Sequence, residues 1–225
     1  MTARYLSADD ALTRLRAVRI VPVITIDDPE NAVSLGRALA EGGLSCAEIT
    51  FRTPRAAAAL ERISAEVPEL FVGAGTVLTP EQAQRALDAG AQFIVAPGFG
   101  PRMVDFCLDR GVPVYPGIAT PTEVEMALEK GLKTLKFFPA EQMGGLDYLK
   151  AIAAPYVDVN FMPTGGINLS NVVHYLAFER VVACGGSWMA PADWIAGGQF
   201  ARIRDAAALA AEVARGNAPV GAGAA

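Results

Sequence analysis

Lys136 is a lone amine in an otherwise apolar run, Thr134-Leu135-Lys136-Phe137-Phe138-Pro139-Ala140. A lysine on such a run loses hydration, which favours the uncharged amine and so a nucleophile that an exposed lysine does not offer. The chain has four lysines (130, 133, 136 and 150) against fifteen arginines. Arginine is therefore the general surface cation, and a lysine inside a strand points to a need for an amine. An edge lysine whose head snorkels to solvent is the plainer alternative. Glu48, Thr50 and Arg52 alternate with Ala47, Ile49 and Phe51. If this run is a strand and Glu48 points inward, Arg52 does too, nearer the C-terminal rim. Three ionisable groups in an apolar interior each cost several kcal/mol of desolvation unless paired. A structural Glu48–Arg52 or Glu48–Lys136 ion pair would leave one charge over. A chemical use accounts for all three. The amine attacks a ketone, the carboxylate moves protons, and the guanidinium grips a 2-oxo acid carboxylate through two hydrogen bonds. That set describes a metal-independent class I aldolase or a relative making a pyruvate enamine.

A second cluster lies further on, in Pro163-Thr164-Gly165-Gly166-Ile167 and Cys184-Gly185-Gly186-Ser187-Trp188. One Gly-Gly pair is usually a turn. Two such pairs at the ends of successive strands, one followed by serine, form a phosphate site where backbone amides and helix N-termini converge on an anion. Gly73-Ala74-Gly75-Thr76, Ala96-Pro97-Gly98 and Tyr115-Pro116-Gly117 end three further strands with small residues and prolines, leaving room for a ligand. Phe138, Phe161 and Met162 read as core layers, with Phe138 also facing the substrate mouth.

The rest of the composition excludes other chemistries. One histidine, His174, sits in a helical stretch away from any nucleophile, so a Ser-His-Asp or Cys-His arrangement and multi-histidine metal binding lack the residues. Cys46, Cys107 and Cys184 are far apart with no CxxC spacing, which predicts buried free thiols in a reducing, cytoplasmic setting. A net charge of −5 with no basic stripe argues against nucleic acid as a partner. No apolar run is long enough to span a membrane, and the first residues lack the apolar core of a signal peptide.

These groups need a scaffold, and the chain alternates short β-branched runs with Ala/Leu/Glu/Arg-rich stretches. A leading helix over about 7–18 precedes expected strands at 20–26, 46–52, 70–77, 93–98, 112–118, 134–140, 159–166 and 181–187, with a helical segment after each. Thr79-Pro80-Glu81 and Thr120-Pro121 start helices; Gly43, Gly90, Gly111 and Gly131 end them. Eight such units predict an α/β fold, a (β/α)₈ TIM barrel with an additional N-terminal helix, over one domain at 1–215. Residues 216–225, small and polar-poor, read as a flexible C-terminal tail. A doubly wound open sheet is the alternative, though Ile26-Asp27-Asp28-Pro29 is not the glycine-rich loop such a fold carries after its first strand.

At these residues the chain closely resembles the 2-keto-3-deoxy-6-phosphogluconate (KDPG)/4-hydroxy-2-oxoglutarate aldolase family. The matching stretches are Glu48-Ile49-Thr50-Phe51-Arg52-Thr53, Val72-Gly73-Ala74-Gly75-Thr76-Val77, Pro97-Gly98, Pro116-Gly117-Ile118, Leu135 through Glu141, and the two glycine clusters. They follow the family's order from about residue 7 to 214. The resemblance implies that Lys136 forms the Schiff base and Glu48 is the general acid/base. It implies that Arg52 and Thr76 bind the pyruvate half, with Pro97 and Phe138 lining that pocket, and that Thr164, Gly165, Gly166, Gly185, Gly186 and Ser187 hold the distal, phosphorylated end. It also implies a cytoplasmic homotrimer, a phosphorylated 2-oxo sugar acid as substrate, pyruvate as product, no cofactor, and a place in the Entner–Doudoroff pathway. 4-Hydroxy-2-oxoglutarate and the galactonate epimer are rival substrates; a non-covalent sugar-phosphate isomerase and a non-catalytic phosphate sensor are rivals of other classes.

Overall fold

The computed structural model describes residues 5–216; the expected tail lies, past Gly216, outside the described residues. Ser7 Oγ accepts from the Asp10 amide, and Asp9 and Asp10 put negative charge on the first turn, so α1 (Ala8–Val18) begins where cap and dipole agree. Its buried Ala11, Leu15 and Val18 recur at helical spacing and form one face. The Arg14 guanidinium lies 5.3 Å from the centre of the Phe71 ring, which sets this helix against the N-terminal ends of the strands.

The strands are all parallel. β1 (Ile20–Ile24), β2 (Cys46–Thr50), β3 (Phe71–Gly75), β4 (Ile94–Val95) and β5 (Val114–Tyr115) form a sheet in the order β5-β4-β3-β2-β1, and β9 (Cys184–Gly186) joins beside β1. A second sheet holds β6 (Gly117–Ile118), β7 (Thr134–Phe137) and β8 (Asn160–Pro163). Pro116, which has no N–H to give, separates β5 from β6. Single bridges Phe161–Val181 and Thr164–Gly185 link β8 to the β9 region. The last strand therefore lies beside the first, as a curled sheet requires, and the strand order nowhere reverses as it would in a doubly wound sheet.

Helices follow the strands: α2 (Ala32–Glu41), α3 (Ala56–Glu66), α4 (Pro80–Asp88), α5 (Pro101–Leu108), α6 (Pro121–Glu129), α7 (Gly145–Ala153), α8 (Val172–Leu176), α9 (Ala192–Ala196) and α10 (Phe200–Ala214). The start signals act as read: Thr79 accepts from the Gln82 amide, and Thr120 forms a capping box with Glu123. Gly43, Gly90, Gly111 and Gly131 all have positive φ at helix ends. No described helix is long and apolar enough to cross a membrane.

Inside the curl, side chains stack in layers. Phe71 and Phe93 rings are 4.7 Å apart, and Phe93 meets Tyr115 edge-on at 6.0 Å. This aromatic layer fills the space one pleat below Glu48, whose partner on β3 is Gly73. A Cβ on Gly73 would stand 2.4 Å from the Phe93 ring, so glycine is what lets the aromatic layer close under the polar groups. Cys46, Cys107 and Cys184 are free and buried. Burial pushes the Cys46 and Cys184 thiols well up, Glu48 adding to the effect on Cys46. Burial likewise pushes the Cys107 thiol up to about 12, leaving a thiolate fraction on the order of 10⁻⁴ at pH 8. Iodoacetamide at that pH is expected to modify none of the three in the native protein and all of them in urea, with turnover retained. Rapid native labelling at any one would contradict the packing.

Candidate active site

Two strands bring the reactive pair together. Glu48 is at the centre of β2, 2% exposed, and Lys136 is the third residue of β7, 4% exposed. Lys136 Nζ donates to Glu48 Oε1 at 3.3 Å, across the interior from one sheet to the other. β-Branched and apolar neighbours make both runs strands; period-two alternation then turns these two side chains inward while Leu135 and Phe137 pack outward. The amine is not snorkelling. An ion pair this buried is weak as a source of stability, because desolvation offsets its attraction. Moving the Lys136 proton to Glu48 would leave two neutral groups in contact, one of them a nucleophile.

The space around the carboxylate is shaped by glycine. A Cβ on Gly75 would fall 2.0 Å from Glu48 Oε1, and one on Gly117, beside Lys136 in register, would fall 2.1 Å from the Pro97 carbonyl oxygen. Gly75→Ala is therefore expected to displace the carboxylate by about 1 Å and to lower kcat roughly 10²-fold, the usual scale for a misplaced catalytic group. Melting and steady-state kinetics on the same sample check it; an unchanged kcat would show that the position of Glu48 is not critical.

Beyond Lys136 on the same face, Phe138 places its ring 5.4 Å from Nζ. Phe138 also lines a cleft of about 550 Å³ at the C-terminal ends of the strands, with Arg52, Thr164, Gly165, Gly166, Gly185, Gly186 and Ser187. Lys136 and Glu48 lie buried beneath this cleft rather than along its wall. The two glycine clusters thus come from separate stretches to one mouth, joined by the Thr164–Gly185 bridge. A Cβ on Gly185 would fall 2.4 Å from Thr164 Oγ1, so glycine is what permits that closeness.

Arg52 departs from the alternation argument. The β2 ladder ends at Thr50–Gly75, and residues 51–52 turn away, leaving Arg52 exposed at the rim instead of inside beside Glu48. It nonetheless reaches the site from above: Arg52 Nε donates to Thr76 Oγ1 at 3.1 Å. Thr76 has φ 57, a conformation that β-branched residues rarely adopt and that places its hydroxyl under the guanidinium. Pro97 stands apart from the cleft wall, lining an adjacent hollow with Val77 and Phe99, and meets the site through its carbonyl against Gly117. His174 is an exposed helical residue, as expected.

Sequence reasoning missed Thr25 and Thr50 as a unit. Thr50 Oγ1 donates to the Ile24 carbonyl at 2.7 Å and lies 3.0 Å from Thr25 Oγ1. Thr50 is fully buried one pleat above Glu48, and Thr25 lines the cleft. The alternation marked Thr50 as inward; nothing in the sequence marked Thr25, which directly follows β1. Trp188 also lines the cleft and covers Gly186, which has no Cβ to obstruct it. Among the described residues no group of three or more His, Cys, Asp or Glu side chains could hold a metal ion.

Residues 12–206 match the family described as KDPG and KHG aldolase. The 2-dehydro-3-deoxy-phosphogluconate aldolase of Treponema pallidum is 55% identical over 189 residues, covering 84% of this chain and 90% of that one. The KDPG aldolase of Legionella pneumophila, solved with pyruvate captured as a covalent carbinolamine, has a TM-score of 0.86 at 37% identity, covering 88% of this chain and 97% of its own. The 2-keto-3-deoxy-6-phosphogluconate aldolase of Zymomonas mobilis, solved with 3-phosphoglycerate, has a TM-score of 0.85 at 36% identity, covering 91% and 96%. A family match over residues 12–206, with a relative 55% identical over 189 residues, means that this chain belongs to the KDPG and KHG aldolase family.

Proposed function

We infer that this chain is a class I aldolase that cleaves 2-dehydro-3-deoxy-6-phosphogluconate to pyruvate and glyceraldehyde 3-phosphate. The observation that carries this reading is the buried contact of Lys136 Nζ with Glu48 Oε1 at 3.3 Å directly beneath the cleft. The Lys136 lone pair attacks the C2 ketone, a proton passes to the former carbonyl oxygen, and a carbinolamine forms. Loss of water gives the protonated imine. Glu48 then takes the proton of the C4 hydroxyl, the C4–O bond becomes a carbonyl, and the C3–C4 bonding electrons flow into the imine as an enamine. Glyceraldehyde 3-phosphate leaves. Protonation at C3 and hydrolysis release pyruvate and restore the amine. The electron sink is the imine itself, so the route is metal-independent and needs no organic cofactor.

Arg52 and Thr76, hydrogen-bonded to each other at the rim, are assigned to the pyruvate carboxylate, with Phe138 and Pro97 around that half. Thr164, the two Gly-Gly pairs and Ser187 are assigned to the distal hydroxyl and phosphate, where glycine amides meet an anion best. The covalent pyruvate of the Legionella relative and the 3-phosphoglycerate of the Zymomonas relative support a site that takes both pyruvate and a phosphorylated ligand. The same reading takes the curled sheet as a closed (β/α)₈ barrel in one domain over 1–215, with a cytoplasmic homotrimer as the working assembly.

Sodium borohydride added with pyruvate tests the chemistry. Peptide mapping is expected to find a stable pyruvyl adduct on Lys136 and nowhere else. An unmodified chain would point to a non-covalent isomerase and end the aldolase reading. Comparing kcat/KM for the gluconate substrate, its galactonate epimer and 4-hydroxy-2-oxoglutarate tests the substrate; a preference for either rival would replace the first.

A further inference from the structure

The loop after β8 turns through two left-handed glycines, Gly165 at φ 103 and Gly166 at φ 77. Both of their carbonyls are tied down. The Gly165 oxygen accepts from the Glu141 N–H at 3.1 Å. The Gly166 oxygen accepts from two side-chain amides, Asn168 Nδ2 at 3.2 Å and Asn171 Nδ2 at 3.0 Å. Those amides are themselves oriented. Asn171 Oδ1 accepts from the Asn168 backbone N–H at 2.9 Å, and Asn168 Oδ1 accepts from the Ser170 N–H at 2.8 Å and from its hydroxyl.

A trans peptide points its C=O and the following N–H in opposite directions. Holding the carbonyls of Gly165 and Gly166 therefore aims the N–H groups of Gly166 and Ile167 the other way. Neither N–H finds an acceptor among the described residues, and both residues line the cleft. Glycine peptides reorient at little steric cost. Released, the Gly166 carbonyl could swing toward the cleft and present a negative end to an anionic ligand.

We propose that Asn168 and Asn171 are positioning residues for the anionic end of the substrate, holding the Gly166 carbonyl back so that the Ile167 amide stays turned toward the cleft. This rests on the aldolase reading and on phosphate binding beside the Gly165-Gly166 pair. Their effect falls on ligands with a phosphate and spares the amine chemistry below.

The test is aldol addition of pyruvate to glyceraldehyde 3-phosphate and to unphosphorylated glyceraldehyde, in the wild type and in the Asn168→Ala/Asn171→Ala double variant. Asn168 is exposed and Asn171 half-buried, so folding should survive, with melting as the check. KM for the phosphorylated aldehyde is expected to rise about 10-fold, the scale of one misdirected hydrogen bond to a charged group. Inhibition by inorganic phosphate should weaken in parallel, while kcat, KM for glyceraldehyde and borohydride trapping of pyruvate hold steady. Equal loss with both aldehydes would mean a general structural role, and an unchanged KM would mean none; either overturns the proposal. A wild type that does not prefer the phosphorylated aldehyde removes the phosphate placement and the proposal with it. A wild type that prefers it, with the preference kept in the variant, removes only the asparagine role. Should the double variant unfold, the single variants carry the same comparison.

Discussion

Lys136→Arg is expected to lose essentially all turnover, a fall of roughly 10⁴-fold or more in kcat, while the protein still folds. The imine requires a primary amine with a free lone pair, and a guanidinium stays protonated at every accessible pH. Arginine is the informative substitution because of what sits opposite. Glu48 is 2% exposed and pairs with the Lys136 ammonium. Truncation to alanine would leave that carboxylate buried and unpaired, costing about 3–5 kcal/mol and confusing lost chemistry with lost fold. Arginine keeps the charge and adds bulk beneath Phe138, an overpacking cost of roughly 1–3 kcal/mol that melting can register separately. Borohydride with pyruvate should leave the variant unlabelled. Turnover within tenfold of the wild type would mean that no imine lies on the path.

How much of this could be read from the sequence differs between the middle of a strand and its end. Lys136, Glu48 and the outward Leu135 and Phe137 follow from period-two alternation, because the ladder around them is continuous: Thr134 to Phe137 pair with Asn160 to Pro163, and Glu48 pairs with Gly73. Strand order and helix starts were legible for the same reason, since each depends on neighbours in the chain. At the C-terminal ends the alternation fails. The expected strands ran to 52, 98, 140 and 166, whereas the ladders stop at Thr50, Val95, Phe137 and Pro163. The backbone leaves the sheet there, and parity past that point no longer tells in from out. Arg52 is the case that shows it: extrapolated inward, it lies exposed at the rim with Thr76 as partner.

What sequence alone could not supply was long-range closeness. Gly75 reads as a small residue at a strand end, yet its missing Cβ is where the Glu48 carboxyl rests. Thr25 and Thr50 meet across adjacent strands, and the Asn168 and Asn171 amides converge on one carbonyl oxygen only when the loop is folded. Such contacts leave no periodic trace.

Glu48→Gln separates the proton mover from the nucleophile. Glutamine has nearly the same shape, so the space against Gly75 stays filled, but its amide takes up no proton in this range. Lys136 would then face a neutral group of nearly the same shape, its primary amine still in place. The amine thus keeps its ability to attack pyruvate, and borohydride trapping on Lys136 should persist, slowed. The steps that need a base should not. kcat for cleavage is expected to fall roughly 10²- to 10⁴-fold, the range of general acid–base catalysis. Exchange of the pyruvate methyl protons with deuterium, followed by NMR, should fall with it, since enamine formation removes a proton from that carbon. Trapping without exchange would place Glu48 at the proton-transfer steps rather than at imine formation. Exchange at the wild-type rate would move the base elsewhere in the site.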